Sequence, residues 1–352
     1  MKDNALREIE IRNFKCFTEL RLEGLQRVNL IGGKNNVGKT AFMEAVEFFV
    51  SLSGGISAFY AIYKMIEKRQ KVIRRSHVEV DFINRSASEM EIQSGKDSCY
   101  IRYAKHLDEN PYGEDSFMER DEDSLSALEL VFRDKKKLLE IDRITHAWWR
   151  TESPTGAADR RGGNLPVKIN FIDPVAFEEK DLAILYGALV GRNKEPFLNA
   201  SLRLFDENIV SLKQQVFESG VVLKVETKDH DFPILLSSLG DGVKRYIAIL
   251  CAIWASQDGF LFIDEIENGI HYTNYPQLWE IIFQASKDAN CQLFITTHSK
   301  ECIDAFNKTN NFDEGAYFEF YYNVKKKKIS AQGRDRAQLE YALSHEGRIR
   351  GE

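Results

Sequence analysis

A chain of 352 residues, 43% hydrophobic and 29% charged, has the composition of a soluble globular protein of one or two domains. Its net charge of −6 argues against a surface that coats nucleic acid along its whole extent, because such binding neutralises several phosphates at once. The longest strongly apolar run, Tyr246 to Ala255, is about half the length a membrane span needs, so no membrane partner is expected. Met1-Lys2-Asp3-Asn4 leads into an amphipathic strand rather than a signal peptide. Cys16, Cys99, Cys251, Cys291 and Cys302 have neither C-x-x-C spacing nor a disulfide framework, which predicts reduced, mostly buried cysteines and a cytoplasmic protein without a zinc site.

The first informative segment is an apolar strand at Val28-Asn29-Leu30-Ile31, then Gly33-Lys34-Asn35-Asn36-Val37-Gly38-Lys39-Thr40, then a helix opening at Ala41-Phe42-Met43. The pattern G-x-x-x-x-G-K-T between a strand and a helix is a phosphate loop. Its glycines let backbone N–H groups and the helix N-terminus meet phosphate oxygens. Lys39 is then expected at the β and γ phosphates, and Thr40 on magnesium.

Beyond a break at Ser53-Gly54-Gly55, residues 51–76 read as helical. Their basic stretch from Lys64 to Arg75 is either a solvated face or a DNA contact, and the solvated face is the preferred reading. Alternating stretches at His77 to Phe82, Cys99 to Tyr103 and Leu128 to Phe132 predict antiparallel strands. Lys135-Lys136-Lys137 is a further basic cluster. Leu107 to Asp123 and Thr151 to Gly163 read as loops, with Trp148 and Trp149 as packing residues between them. Val167 to Ile172 predicts a strand, and Phe177 to Val216 a helical stretch.

Three more segments complete the picture. Leu236 to Arg245 contains Ser238-Leu239-Gly240-Asp241-Gly242 before an apolar helix, which is either a second phosphate-binding N-terminus or a plain helix cap. Phe260-Leu261-Phe262-Ile263 is an apolar strand ending on Asp264 and Glu265. Strand C-termini are where α/β sheets place ligands, so Asp264 is expected beside the metal held by Thr40 and Glu265 on the attacking water. Gln292 to Ser299 is a similar strand ending at His298, expected at the γ-phosphate. Lys325 to Lys328 lies between strand-like Phe318 to Tyr322 and Ile329, the pattern of a hairpin turn. Arg336 to Arg350 reads as a charged terminal helix.

In this order the four segments resemble the ABC-type ATPase head shared by SMC proteins, RecF and the OLD family, over most of the chain. Ile9-Glu10-Ile11-Arg12-Asn13-Phe14-Lys15-Cys16-Phe17 is similar to the class's opening "I-x-N-F-K/R-x-F" element, and Asn35 fits its G-x-N-x-x-G-K loop. Ile263 to Tyr272 is similar to the "DE-x-E-N-x-L/I-H" stretch of OLD-like bacterial ATPases of AAA type.

The resemblance implies an α/β P-loop NTPase with the ABC-type head spanning 1–352, an antiparallel β-lobe, a compact helical insert at 172–216, and signature, Walker B and H-loop elements in 217–352. It implies bound ATP and Mg2+, contacted by Gly33, Asn35, Asn36, Val37, Gly38, Lys39, Thr40, Ala41, Asn13 and Lys15. Thr40 and Asp264 would be the metal ligands, and Glu265, His298 and Lys39 the catalytic residues. It also implies a head-to-tail pair in which Ser238 and Gly240 of one copy cap ATP on Lys39 of the other. Asn268 to His271 match the D-loop, whereas no glutamine between Thr40 and Ser238 suits the Q-loop. The insert is too short for an SMC-like coiled coil. No TOPRIM nuclease follows by Glu352, so the expected partner is a separate nuclease or toxin effector, in bacterial anti-phage defence. A RecF-like clamp closing on DNA and a regulatory scaffold with negligible hydrolysis are the alternatives.

Overall fold

The computed structural model describes residues 5–70, 81–104, 127–141, 167–174, 179–218, 220–310 and 314–344. In chain order the strands are β1 (Glu8–Phe14), β2 (Phe17–Glu23), β3 (Val28–Gly33), β4 (Glu89–Ser94), β5 (Asp97–Ala104), β6 (Ala127–Phe132), β7 (Lys135–Glu140) and β8 (Ile169–Ile172), followed by β9 (Ile209–Phe217), β10 (Gly220–Thr227), β11 (Ile234–Leu235), β12 (Phe260–Ile263), β13 (Gln292–Thr296), β14 (Gly315–Asn323) and β15 (Lys328–Arg334). The helices are α1 (Lys39–Ser53), α2 (Ala58–Gln70), α3 (Glu179–Val190), α4 (Glu195–Phe205), α5 (Asp241–Ala255), α6 (Tyr275–Asp288), α7 (Lys300–Thr309) and α8 (Arg336–Ser344). The chain divides into two compact units. One comprises Met1–Arg7, Leu22–Met43 and Lys168–Glu352, and the other Glu8–Arg21 and Glu44–Val167.

The larger unit is organised by strands that have no polar face. Every residue of β3, β12 and β13 is buried, as a parallel sheet covered on both sides requires. The sheet order is β15-β14-β3-β13-β12-β8, parallel from β14 through β8, with β15 added antiparallel as a hairpin. Asn29 is the polar exception inside β3, and its side-chain amide is satisfied by the carbonyls of Gln26 and Leu293 and the N–H of Gln26. Phe262 stacks against Phe294 at 5.5 Å, and Phe42 of α1 meets Phe320 edge-on at 5.3 Å. Each such ring contributes about 1.5–3 kcal/mol through burial. Helix α5 is buried over Arg245 to Trp254, so it is a core helix with one charged side chain inside an otherwise apolar run. A smaller antiparallel sheet, β11-β10-β9, carries α4 on β9 and α3 on β10.

That sheet corrects the helical reading of Phe177 to Val216. Helix ends at Phe205, and Ile209–Phe217 is a strand paired with β10 from Ile209↔Thr227 to Phe217↔Gly220. Ile209 and Leu212 are buried and Lys213 to Phe217 exposed, so burial alone does not mark the strand, and the partner strand β10 supplies the backbone bonds that a helix would have made internally. Residues 179–216 are therefore two helices and most of a strand.

In the smaller unit the sheet order is β2-β1-β4-β5-β6-β7, with antiparallel pairing from β1 through β7. The strands expected at Cys99 to Tyr103 and Leu128 to Phe132 are β5 and β6. Asp81 and Phe82 are not in a strand, and residues 77–80 of that predicted strand lie outside the described residues. Lys135–Lys137 open β7, where Lys136 pairs with Glu129. The expected loops at 107–123 and 151–163, Trp148, Trp149, residues 71–75 of the basic stretch and residues 345–350 also lie outside the described residues. In the larger unit, the turn between β14 and β15 is the predicted lysine hairpin, fastened where Lys326 N–H donates to Asn323 Oδ1 at 3.0 Å.

Candidate nucleotide site

The C-terminal ends of β3, β12 and β13 lie side by side, so whatever follows each strand converges on one place. After β3 comes the loop. Gly33 has φ +138°, and a Cβ there would lie 2.3 Å from the carbonyl oxygen of Phe320, so only glycine fits. Asn36 (φ 63°) and Gly38 (φ 83°) take left-handed conformations that curl the loop into α1. Val37 and Ala41 are buried beneath it, while Asn35, Asn36 and Thr40 are exposed.

Lys39 is nearly buried, and its ammonium donates to the carbonyls of Gly33 (2.8 Å) and Lys34 (2.7 Å) and lies 3.2 Å from His298 Nδ1. Loss of hydration pulls its pKa down to about 8, against the raising effect of Asp264, Glu267 and Glu265. After β12, Asp264 accepts from Thr40 Oγ1 at 3.0 Å and from Thr296 Oγ1 at 2.5 Å. Thr296 Oγ1 in turn accepts from Glu265 N–H at 2.8 Å. Glu265 takes φ +50°, a left-handed conformation that costs a non-glycine residue roughly 1–3 kcal/mol and that the surrounding hydrogen bonds enforce. Its Oε2 accepts from Asn268 Nδ2 at 2.8 Å, and its Oε1 lies 3.4 Å from His298 Nε2.

Behind this cluster Arg245 of α5 donates to the carbonyls of Asp173 (2.9 Å), Asp264 (2.5 Å) and Glu265 (2.8 Å). Burial lowers its pKa, opposed by Glu267, Glu265, Asp264 and Asp173. Sequence reasoning gave no role to Arg245 or Thr296. Arg245 stands beside Lys244 just ahead of the apolar run, a pattern that by itself reads as helix surface.

Lys39, Thr40, Asp264, Glu265 and His298 are thus brought together. Among the described residues no hydrogen bond joins Ser238 or Gly240 to them. Both are exposed, and a Cβ at Gly240 would meet nothing within 4 Å. They flank the start of α5, where Gly242 packs so closely that a Cβ would fall 2.2 Å from the carbonyl oxygen of Gly269. Asn13 and Lys15 belong to the smaller unit. Lys15 Nζ pairs there with Glu44 at 2.5 Å, with both side chains nearly buried, and the Asn13 carbonyl accepts from Asn84 N–H.

The donor set suits a magnesium ion. A hydroxyl and a carboxylate oxygen 3.0 Å apart are hard ligands, and Mg2+ is ordinarily held by one or two such groups with water and phosphate. Among the described residues no group of three or more His, Cys, Asp or Glu forms a protein-only cage.

Residues 28–304 match the family described as "AAA domain, putative AbiEii toxin, Type IV TA system". The chain belongs to this AAA-domain family. A Helicobacter pylori protein named "ATP/GTP phosphatase" is 27% identical over 325 residues, covering 85% of this chain and 86% of its own. An uncharacterised Methanocaldococcus jannaschii protein is 43% identical over 58 residues, 16% of this chain and 26% of its own. Among solved structures, an SMC head bound to the C-winged helix domain of ScpA covers 96% of this chain and 99% of its own at 12% identity, with a TM-score of 0.50. The fold is the mixed α/β fold of an ABC-type P-loop ATPase head. No described helix is long and apolar enough to cross a membrane.

Proposed function

We propose that the chain binds ATP with Mg2+ and hydrolyses it in a site completed by a second copy, and that its nucleotide state controls a separate effector, nuclease or toxin, in bacterial anti-phage defence. The observation that carries the reading is the meeting of Lys39 and Thr40 with Asp264, Glu265 and His298 from two other strand ends. Lys39 exchanges its bonds to Gly33 and Lys34 carbonyls for β and γ phosphate oxygens, which restores the solvation its charge has lost. Thr40 and Asp264 would hold the magnesium, which when bound offsets phosphate charge. Glu265 takes the proton of the attacking water, and Asn268 and His298 keep its carboxylate aimed.

Support for an effector comes from the toxin–antitoxin wording of the family description, and for a nucleoside triphosphatase from the name of the Helicobacter relative. The motifs around Asp264 to Tyr272 favour an OLD-like branch. Ser238 and Gly240, exposed ahead of α5, would cap ATP bound on the other copy.

The test is a pair of variants in titrations and turnover assays with ATP and GTP. Lys39→Ala is expected to weaken ATP binding by at least about 100-fold. Glu265→Gln is expected to bind ATP with unchanged affinity and to hydrolyse it at least about 100-fold more slowly. Wild-type affinity in Lys39→Ala would remove the pocket assignment, and wild-type turnover in Glu265→Gln would remove Glu265 as the base.

A further inference from the structure

His298 stands between two groups of opposite character, and something must hold it there. Its Nδ1 lies 3.2 Å from the Lys39 ammonium, which has only protons to give, so Nδ1 is the acceptor. A neutral ring then carries its proton on Nε2, 3.4 Å from Glu265 Oε1. The ring can serve both neighbours only if its backbone is fixed, because it follows the last residue of β13 by two positions and lies ahead of α7.

The fixing contact comes from Glu267. Its Oε1 accepts from the His298 backbone N–H at 2.5 Å. Its Oε2 is buried and makes no hydrogen bond. Glu267 is itself held close to β13, since the neighbouring Ile266 N–H donates to the Thr296 carbonyl at 3.1 Å. A carboxylate with an idle buried oxygen is costly to keep, so its place is explained by what its other oxygen does. The charge faces Lys39 and Arg245, the two buried cations of the site.

We propose that Glu267 is a positioning residue for hydrolysis: it holds the His298 backbone so that the imidazole accepts from Lys39 and donates to Glu265. The inference rests on the hydrolytic role proposed above. Glu267 touches neither nucleotide nor water in this scheme and acts only through His298. Ground-state binding, carried by the loop and Lys39, does not depend on it, so the effect belongs in kcat.

Kinetics on the full chain, with 15N-resolved histidine NMR, test this. Glu267→Ala is expected to lower kcat at least about ten-fold with ATP affinity within about three-fold of wild type, and to abolish the Nε2–H, bare-Nδ1 pattern of His298. Glu267→Gln, whose amide oxygen accepts the same bond, is expected to recover kcat to within about three-fold of wild type. Should the alanine chain not fold, Glu267→Met fills the volume without an acceptor and takes its place. Wild-type kcat in the Ala or Met chain would overturn the proposal. A folded Glu267→Gln chain slowed by more than about ten-fold would also overturn it, since charge rather than the hydrogen bond would then be the agent. If the wild-type chain hydrolyses no nucleotide, the hydrolytic reading fails separately. The His298 pattern still decides this inference: its loss in Glu267→Ala supports the positioning role, and its retention overturns it.

Discussion

Two regions of the larger unit are built in opposite ways. At the ends of β3, β12 and β13 each chemically active side chain is engaged by another, with Lys39 on His298, Thr40 and Thr296 on Asp264, and Asn268 and His298 on Glu265. Ahead of α5, Ser238 and Gly240 are exposed. The first region is held together by hydrogen bonds among its own groups, which in the proposed reading keep them in place for nucleotide. The second has the residues of a phosphate-binding helix start, and among the described residues no hydrogen bond joins Ser238 or Gly240 to the first. The contrast fits one half-site that is finished and another that works on a neighbouring copy.

The sharpest way to break this contrast is to crowd the start of α5. Gly242→Ala drives a Cβ to 2.2 Å from the Gly269 carbonyl oxygen, backbone that has no flexible end to move. Overpacking of this kind costs about 1–3 kcal/mol, and here it shifts the start of α5 with the Ser238 and Gly240 segment. ATP affinity is expected to stay within about three-fold while turnover falls at least about 30-fold. Isothermal titration alongside a phosphate-release assay separates the two. A parallel loss of affinity would mean the regions are not independent.

A smaller effect sharpens the description of the finished half. Lys39 titrates at about 8 rather than the ordinary 10.5, because burial disfavours its charge. A folded chain with the lower value binds fewer protons than the unfolded chain between these limits. Stability of the nucleotide-free chain from this group therefore improves as pH rises through that window. ATP affinity runs the other way, since a neutral amine no longer meets phosphate. It is expected to fall about eight-fold from pH 7.5 to 9. Lys39→Arg, permanently charged, should remove this break whatever it does to absolute affinity, and a titration series across that range checks both chains.

Much of the finished half was legible in the sequence because it is local. The phosphate loop is contiguous, and runs such as Phe260 to Ile263, apolar on both faces, announce buried parallel strands with carboxylates at the end. What escaped was set by distant partners. Ile209–Phe217 carries Val210, Leu212 and Val216 at spacings that suit either a helix or a strand, and pairing with β10 decided it. Arg245 reads as helix surface until the carbonyls of Asp264 and Glu265, 19 and 20 residues away, are seen to converge on its guanidinium. The place of β14 beside β3 follows from no local pattern. For Asn13 and Lys15, only the family resemblance linked them to nucleotide.

The central claim, that Ser238 and Lys39 of different copies share one site, is tested most directly by mixing two inactive chains. Ser238→Arg leaves the loop of its own chain intact but spoils the cap it offers, whereas Lys39→Ala spoils the loop and leaves the cap. In a heterodimer one site then receives both defects and the other receives none. Equal mixing is expected to recover up to about one quarter of wild-type hydrolysis, since about half of randomly assorted dimers carry one intact site of two. No recovery, with heterodimers demonstrated by differential tagging, would contradict the account and place the complete site within a single chain.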